Sequence, residues 1–191
     1  MHKLLTLLTL PLIAMCDTAL AASASVPMKY EAAESASEKR ILLALKMVPR
    51  ECQVEIADFS DNRHNKKTIS NFFGKSLIGD GVDAWLGAAK SEYLNDIKTE
   101  YSNLVLEAKP KLHRLYAYPE SMNINGVVAI EIDYFVNGEF HESKHYRGFY
   151  GKTNWANGNG EYVTALNLAL NHSMVKITED LGKVCRSVLP S

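Results

Sequence analysis

The stretch "VVAIEIDYFVNGEFHESKHYRGFYG", Val127–Gly151, decides the fold. Two runs of alternating residues flank Asn137-Gly138, a dipeptide that tolerates the positive φ angles of a tight hairpin turn. Two loops fit. A two-residue loop sets Val128, Ile130, Ile132 and Tyr134 opposite Arg147, His145, Ser143 and His141. A three-residue loop, with Gly138 in the left-handed bulge position, pairs Tyr134 with Phe140, Ile130 with Lys144 and Val128 with Tyr146. A one-residue slip moves every side chain to the other face, so the faces choose the register. The bulged loop keeps more apolar residues together and is the expected one.

Upstream, "NLVLEAKPKLHRLYAYP" alternates as a strand, with an interruption expected at Pro110, which cannot donate to a ladder. "CQVEIADF" reads as another strand from about Cys52 to Phe59, followed by the polar turn "SDNRHNKK". "TISNFFGKSLIGDG" reads as a loop with some buried apolar residues. Two stretches have helical periodicity. In the first, Val82, Trp85, Leu86, Ala89, Tyr93, Leu94 and Ile97 recur at three and four, with Asp80 as the expected N-cap. In the second, the stripe is Val163, Leu166, Leu170, Met174, Ile177, Leu181 and Val184, with Gly182 near its end. Helices with a single apolar stripe must cover one face of a sheet. The expectation is an α+β domain of two layers: a four- to five-stranded mixed or antiparallel sheet with two helices on one face.

The N-terminal segment reads differently. Met1, His2 and Lys3 precede the apolar run Leu4–Cys16, which is short for a membrane-spanning helix of about 20 residues. Ala19 and Ala21 then stand in the A-x-A arrangement of a signal-peptidase site. The expected organisation is a signal peptide over 1–21, a small, polar tether over 22–40 and one domain over 41–191. Cleavage before Cys16 with lipidation is the minor alternative, because Met15 stands where a small residue is expected. The chain is read as exported to the bacterial periplasm, and as outer-membrane-associated if Cys16 is lipidated. No later apolar stretch is long enough to span a membrane. Cys52 and Cys185 are expected to pair in an oxidising compartment.

Lys and Arg number 21 against 22 Asp and Glu, and no long basic run occurs, so nucleic acid is not an expected partner. Catalytic and cofactor patterns are missing. No Ser stands in a G-x-S-x-G elbow. Gly151-Lys152-Thr153 resembles the end of a phosphate loop, but Tyr146 stands where the loop needs Gly. His141 and His145, four apart on a strand, lie about 13 Å from each other, too far for one metal ion. The sequence therefore points to no enzyme, no cofactor and no metal. Asp61 and Arg63 are candidates for structuring the turn or meeting a partner, and Trp155, in a Gly/Asn loop, for anchoring a partner.

Three stretches resemble periplasmic lipoproteins of the YajG and PqiC type, the auxiliary proteins of ABC-type and MCE lipid-transport systems. They are "FSDNR" with its Asp61-x-Arg63, the helix "GDGVDAWLGAAKSEYL", and the hairpin leading to "YVTALNLALNHSMVKITEDLG". Residues 50–184 carry the resemblance, with two departures: Ile69 is followed by Ser70 rather than Gly, and the lead-in to Cys16 is a weak lipidation signal. The resemblance implies a non-catalytic envelope accessory protein, with an envelope complex or lipid as partner, and transfers no active-site residue. The alternative is a secreted hydrolase, which requires a cleft that brings His113 or His64 beside a carboxylate.

Overall fold

The computed structural model describes residues 23–32, 52–72, 74–95, 103–154 and 158–188. The signal segment with Cys16, residues 22 and 33–40 of the expected tether, and Trp155 lie outside them. Eight strands and two helices are described: β1 (Ser23–Pro27), β2 (Gln53–Ile56), β3 (Ser60–Asp61), β4 (Thr68–Phe72), β5 (Lys75–Asp80), α1 (Val82–Leu94), β6 (Val105–Glu120), β7 (Asn123–Val136), β8 (Glu139–Thr153) and α2 (Asn159–Ser187). They build an α+β fold with two mixed sheets. The larger runs β2-β6-β7-β8, with β3 also pairing β6; the smaller runs β1-β5-β4. Helix α2 lies across β6, β7 and β8, and α1 packs against α2.

The β7–β8 hairpin is where register and sequence part. Asn137 and Gly138 take φ values of 50° and 87°, the left-handed pair that suits a two-residue turn and the twist of the flanking strands. Val136 pairs Glu139 and Phe135 pairs Phe140. A bulge then leaves His141 unpaired, so that Tyr134 meets Glu142, Ile130 meets Tyr146 and Val128 meets Gly148. The extra residue sits in β8 rather than in the turn. The faces are those expected, because the register moves by two, but the partners differ.

The shift has a packing reason. Gly148 lies under α2, and a Cβ there would overlap the Ala169 carbonyl; one at Gly126 would overlap the Ala165 carbonyl. Ala165 and Ala169 are one turn apart on α2, so two glycines face two alanines and the helix settles close to the sheet. Val128, Ile130, Ile132, Leu106, Leu112, Leu166, Leu170 and Met174 fill the space on either side of this contact, all essentially buried.

Pro110 does not interrupt β6, which continues through it opposite Ile132. The Leu104, Ala108 and Leu112 carbonyls accept bonds from Gln53, Ala57 and Asn62 on the β2–β3 side. In a strand, a residue's N–H and C=O point the same way, so the nitrogen of Pro110 faces the gap between β2 and β3. No donor is needed there.

The stretch expected to be a loop, 68–81, forms the β4–β5 hairpin. Within the expected tether, residues 23–27 pair in parallel with β5, and Val26 and Met28 are buried. These strands are short and mostly polar outside Val26, Ile69 and Leu77, so period-two alternation is faint in them. Asp80, expected to cap α1, instead accepts the Ser25 hydroxyl, and Gly81 at φ 77° precedes the helix. The Cys52–Cys185 disulfide joins the start of β2 to the end of α2, with 5.7 Å between Cα atoms.

Candidate functional site

Two grooves flank the larger sheet. The first opens where the chain passes from one sheet to the other. Beyond Leu112, β6 carries a bulge at His113, β3 ends, and β4 runs beside β6. Residues 62–67 make the crossing, and the turn is fixed by Asp61. Its carboxylate accepts the Arg63 N–H at 3.1 Å, Nε at 2.9 Å and Nη2 at 2.8 Å, while Nη2 also donates to the Lys66 carbonyl at 2.6 Å. Burial pushes the Asp61 carboxyl up, and the Arg63 hydrogen bonds outweigh it, holding it below the usual carboxylate range. Asn65 Oδ1 accepts the Lys67 and Thr68 N–H groups. The groove beside this turn has a volume of about 310 Å³ and is lined by Arg63, His64, Asn65, Thr68, Asn71, His113, Arg114, Leu115 and Tyr116.

The second groove, of about 340 Å³, is apolar. It lies between β8, α2 and the end of α1 and is lined by Tyr93, Phe149, Tyr150, Leu168, Asn171, His172 and Val175. Phe149 and Tyr150 are exposed on its β8 side. A His172 ring nitrogen lies 3.3 Å from the Phe149 carbonyl oxygen, and Lys176 donates to the Arg147 carbonyl at 2.9 Å, so α2 covers part of the edge of β8.

Beside this groove two buried asparagines hold the N-terminal segment. Asn167 donates to the Lys29 carbonyl and accepts the Trp85 indole N–H at 2.6 Å and the Glu31 N–H at 3.4 Å. Asn171 donates to the Glu31 carbonyl and accepts the Tyr30 hydroxyl. Residues 29–31, α1 and α2 are thereby tied through two side chains one turn apart. Sequence reasoning passed over both, although two asparagines within an apolar stripe are a signal: a buried amide needs specific partners.

The face of the larger sheet turned away from α2 is charged. Lys111 lies 2.9 Å from Glu131 and 2.5 Å from Asp133. His113 Nε2 and His145 Nδ1 lie 3.2 and 3.6 Å from Glu131 Oε2. The hydrolase alternative asked for His113 beside a carboxylate, and this geometry supplies it. Glu131 is shared, however, with Lys111 and His145. Among the described residues no group of three His, Cys, Asp or Glu is placed to hold a metal ion, and no helix is long and apolar enough to cross a membrane.

No family model matches the chain, and no curated protein matches it. Solved structures do. A Xanthomonas campestris protein of the DUF330 family aligns at a TM-score of 0.51 and 10% identity, over 86% of this chain and 96% of that one. A Caulobacter crescentus protein described as a candidate lipoprotein aligns at 0.44 and 9%, over 78% and 98%. A minor lipoprotein of Acinetobacter baumannii aligns at 0.32 and 12%, over 69% and 94%. At these identities the likeness concerns the fold, and the Xanthomonas alignment carries it.

Proposed function

We propose that the protein is an exported, non-catalytic binding protein of the bacterial envelope, auxiliary to outer-membrane or lipid-transport machinery, with a lipid acyl chain as ligand. One observation carries the reading: the apolar groove between β8 and α2, with Leu168 and Val175 in its wall and Phe149 and Tyr150 at its rim. Its volume lies at the small end of ligand pockets, and its polar groups are few. The A-x-A signal and the Cys52–Cys185 bond support export, since disulfides persist in oxidising compartments. Retention of acylated Cys16 would add membrane anchoring.

The test is displacement of a fluorescent naphthylamine probe by lysophospholipid. The expected outcome is saturable displacement that weakens at least ~10-fold in Leu168→Asp, with an unchanged circular dichroism spectrum. Loss of about one apolar contact and gain of a buried charge justify that size. Probe binding that Leu168→Asp leaves intact would remove the groove from the account.

A second reading, a secreted hydrolase, draws on the His113–Glu131 pair at 3.2 Å, whose histidine lines the polar groove. Turnover of esterase, phosphatase or peptidase substrates that disappears in His113→Gln would establish it and overturn the first.

A further inference from the structure

We propose that the polar groove at the seam of the two sheets is a binding site for a phosphate group. The site is separate from the apolar groove and does not depend on it.

Four cationic or cation-forming side chains line the groove: Arg63, His64, His113 and Arg114. The carboxylates nearby are already engaged. Asp61 is spent on the Arg63 fork, and Glu131 on Lys111, His113 and His145. Arg114 and His64 are exposed and make no ion pair within 4.0 Å among the described residues.

Arg63 is the deciding residue. Its side chain is 4% exposed, so its charge is withdrawn from water. Nε and Nη2 are matched by Asp61 and the Lys66 carbonyl, but Nη1 is buried without a hydrogen-bond partner among the described residues. Nη1 is closed to water, so an anion in the groove is attracted by the charge of Arg63 rather than by a bond to Nη1. Around it stand further donors. Asn71 accepts the Ser76 hydroxyl through Oδ1, which turns its NH₂ free to donate, and the Thr68 and Tyr116 hydroxyls line the same groove. Donors spread around a groove, rather than aligned in one fork, suit the several oxygens of a tetrahedral phosphate better than a planar carboxylate. The volume of about 310 Å³ leaves room for more than the bare ion, so a phospholipid headgroup and free phosphate share this chemistry.

The experiment is titration of the full mature chain with inorganic phosphate by amide NMR, alongside flotation with phosphatidylglycerol vesicles and with phosphatidylcholine vesicles. Arg114→Gln and His64→Gln are the test variants, because both residues are exposed and their loss spares the Asp61–Arg63 turn. Lys152→Gln, which does not line the groove, is the control. The expected result is saturable binding, with shifts at Arg63–Thr68 and His113–Tyr116, weakened at least tenfold by Arg114→Gln and unchanged by Lys152→Gln. Binding of inorganic phosphate alone assigns the site to free phosphate. Flotation with phosphatidylglycerol that Arg114→Gln abolishes assigns it to a headgroup. Neither inorganic phosphate nor phosphatidylglycerol binding, or binding that both groove variants leave unchanged, overturns the proposal. Leu168→Asp, which tests the apolar groove, leaves either result in place, so the two sites fail separately.

Discussion

The two faces of the larger sheet are made by the same three long strands, yet they are held by different physics. Towards α2, Val128, Ile130, Ile132, Tyr134 and Tyr146 are buried, and two glycines admit the helix backbone. Away from it, Lys111, Glu131, Asp133, His113 and His145 form an ion-pair network partly open to solvent. A close-packed face resists any change of shape, because its neighbours have nowhere to go. A hydrated network of charges can rearrange, and each pair contributes little. Substitutions in the packed inner face should therefore act strongly on stability, and those in the outer network only weakly.

The largest effect should come from one carbon. Gly148→Ala places a Cβ against the Ala169 carbonyl and the Ser173 hydroxyl, and the contact is with backbone that cannot swing aside. The expected loss is about 3 kcal/mol or more, seen as a fall in Tm of roughly 6–12 °C by circular dichroism. If Gly148→Ala melts with the parent protein, α2 does not sit on β8 as described, and the contrast between the faces fails at its strongest point.

A middle effect is tied to pH. Tyr134 and Tyr146 share a hydroxyl–hydroxyl bond of 2.8 Å on the inner face, and Tyr146 reaches Asp180 on α2 at 3.4 Å. Burial pushes both phenols well above their ordinary value, and the nearby Asp180 adds to the shift. Both are neutral in folded and unfolded chains below pH ~10, so they give no pH dependence there. Above pH ~10 the unfolded chain releases phenolic protons that the folded chain keeps, and stability falls. Each such group lowers it by about 1.4 kcal/mol per pH unit. Urea unfolding from pH 9 to 11 should show this decline, and Tyr146→Phe should flatten it. An equally steep decline in Tyr146→Phe would mean that the phenol is open to water.

The contrast between faces also explains what the sequence disclosed. The hairpin faces were legible because alternation over β7 and β8 is long, and the stripe of α2 because seven apolar positions repeat across 29 residues. The pairing partners were not. Nothing local to Asn137-Gly138 says that the extra residue falls at His141; that choice is made by Gly148 and Gly126 meeting Ala169 and Ala165. The small sheet was hidden for another reason. β1 and β5 are more than 40 residues apart and pair in parallel, and their few buried side chains resemble those of a loop. The polar groove was half legible. Asp61 and Arg63 stood out as a turn motif, while His64 and His113 were named only for catalysis. Arg114, Thr68 and Asn71 join them only through the bulge in β6 and the unforeseen β4.

The smallest effect tests the outer face. Lys111 joins Glu131 and Asp133, and these hydrogen bonds hold the Asp133 carboxyl below the usual carboxylate range. The network nevertheless stands at the surface, where solvent and salt screen it. Lys111→Met keeps the apolar stem and removes the charge. It should leave Tm within the scatter of ordinary surface substitutions, and what little changes should vanish in high salt. A large, salt-resistant loss would show that these charges are shielded from water. The outer face would then be an interior waiting for a cover, and the division between a close-packed face and a hydrated one would have to be redrawn.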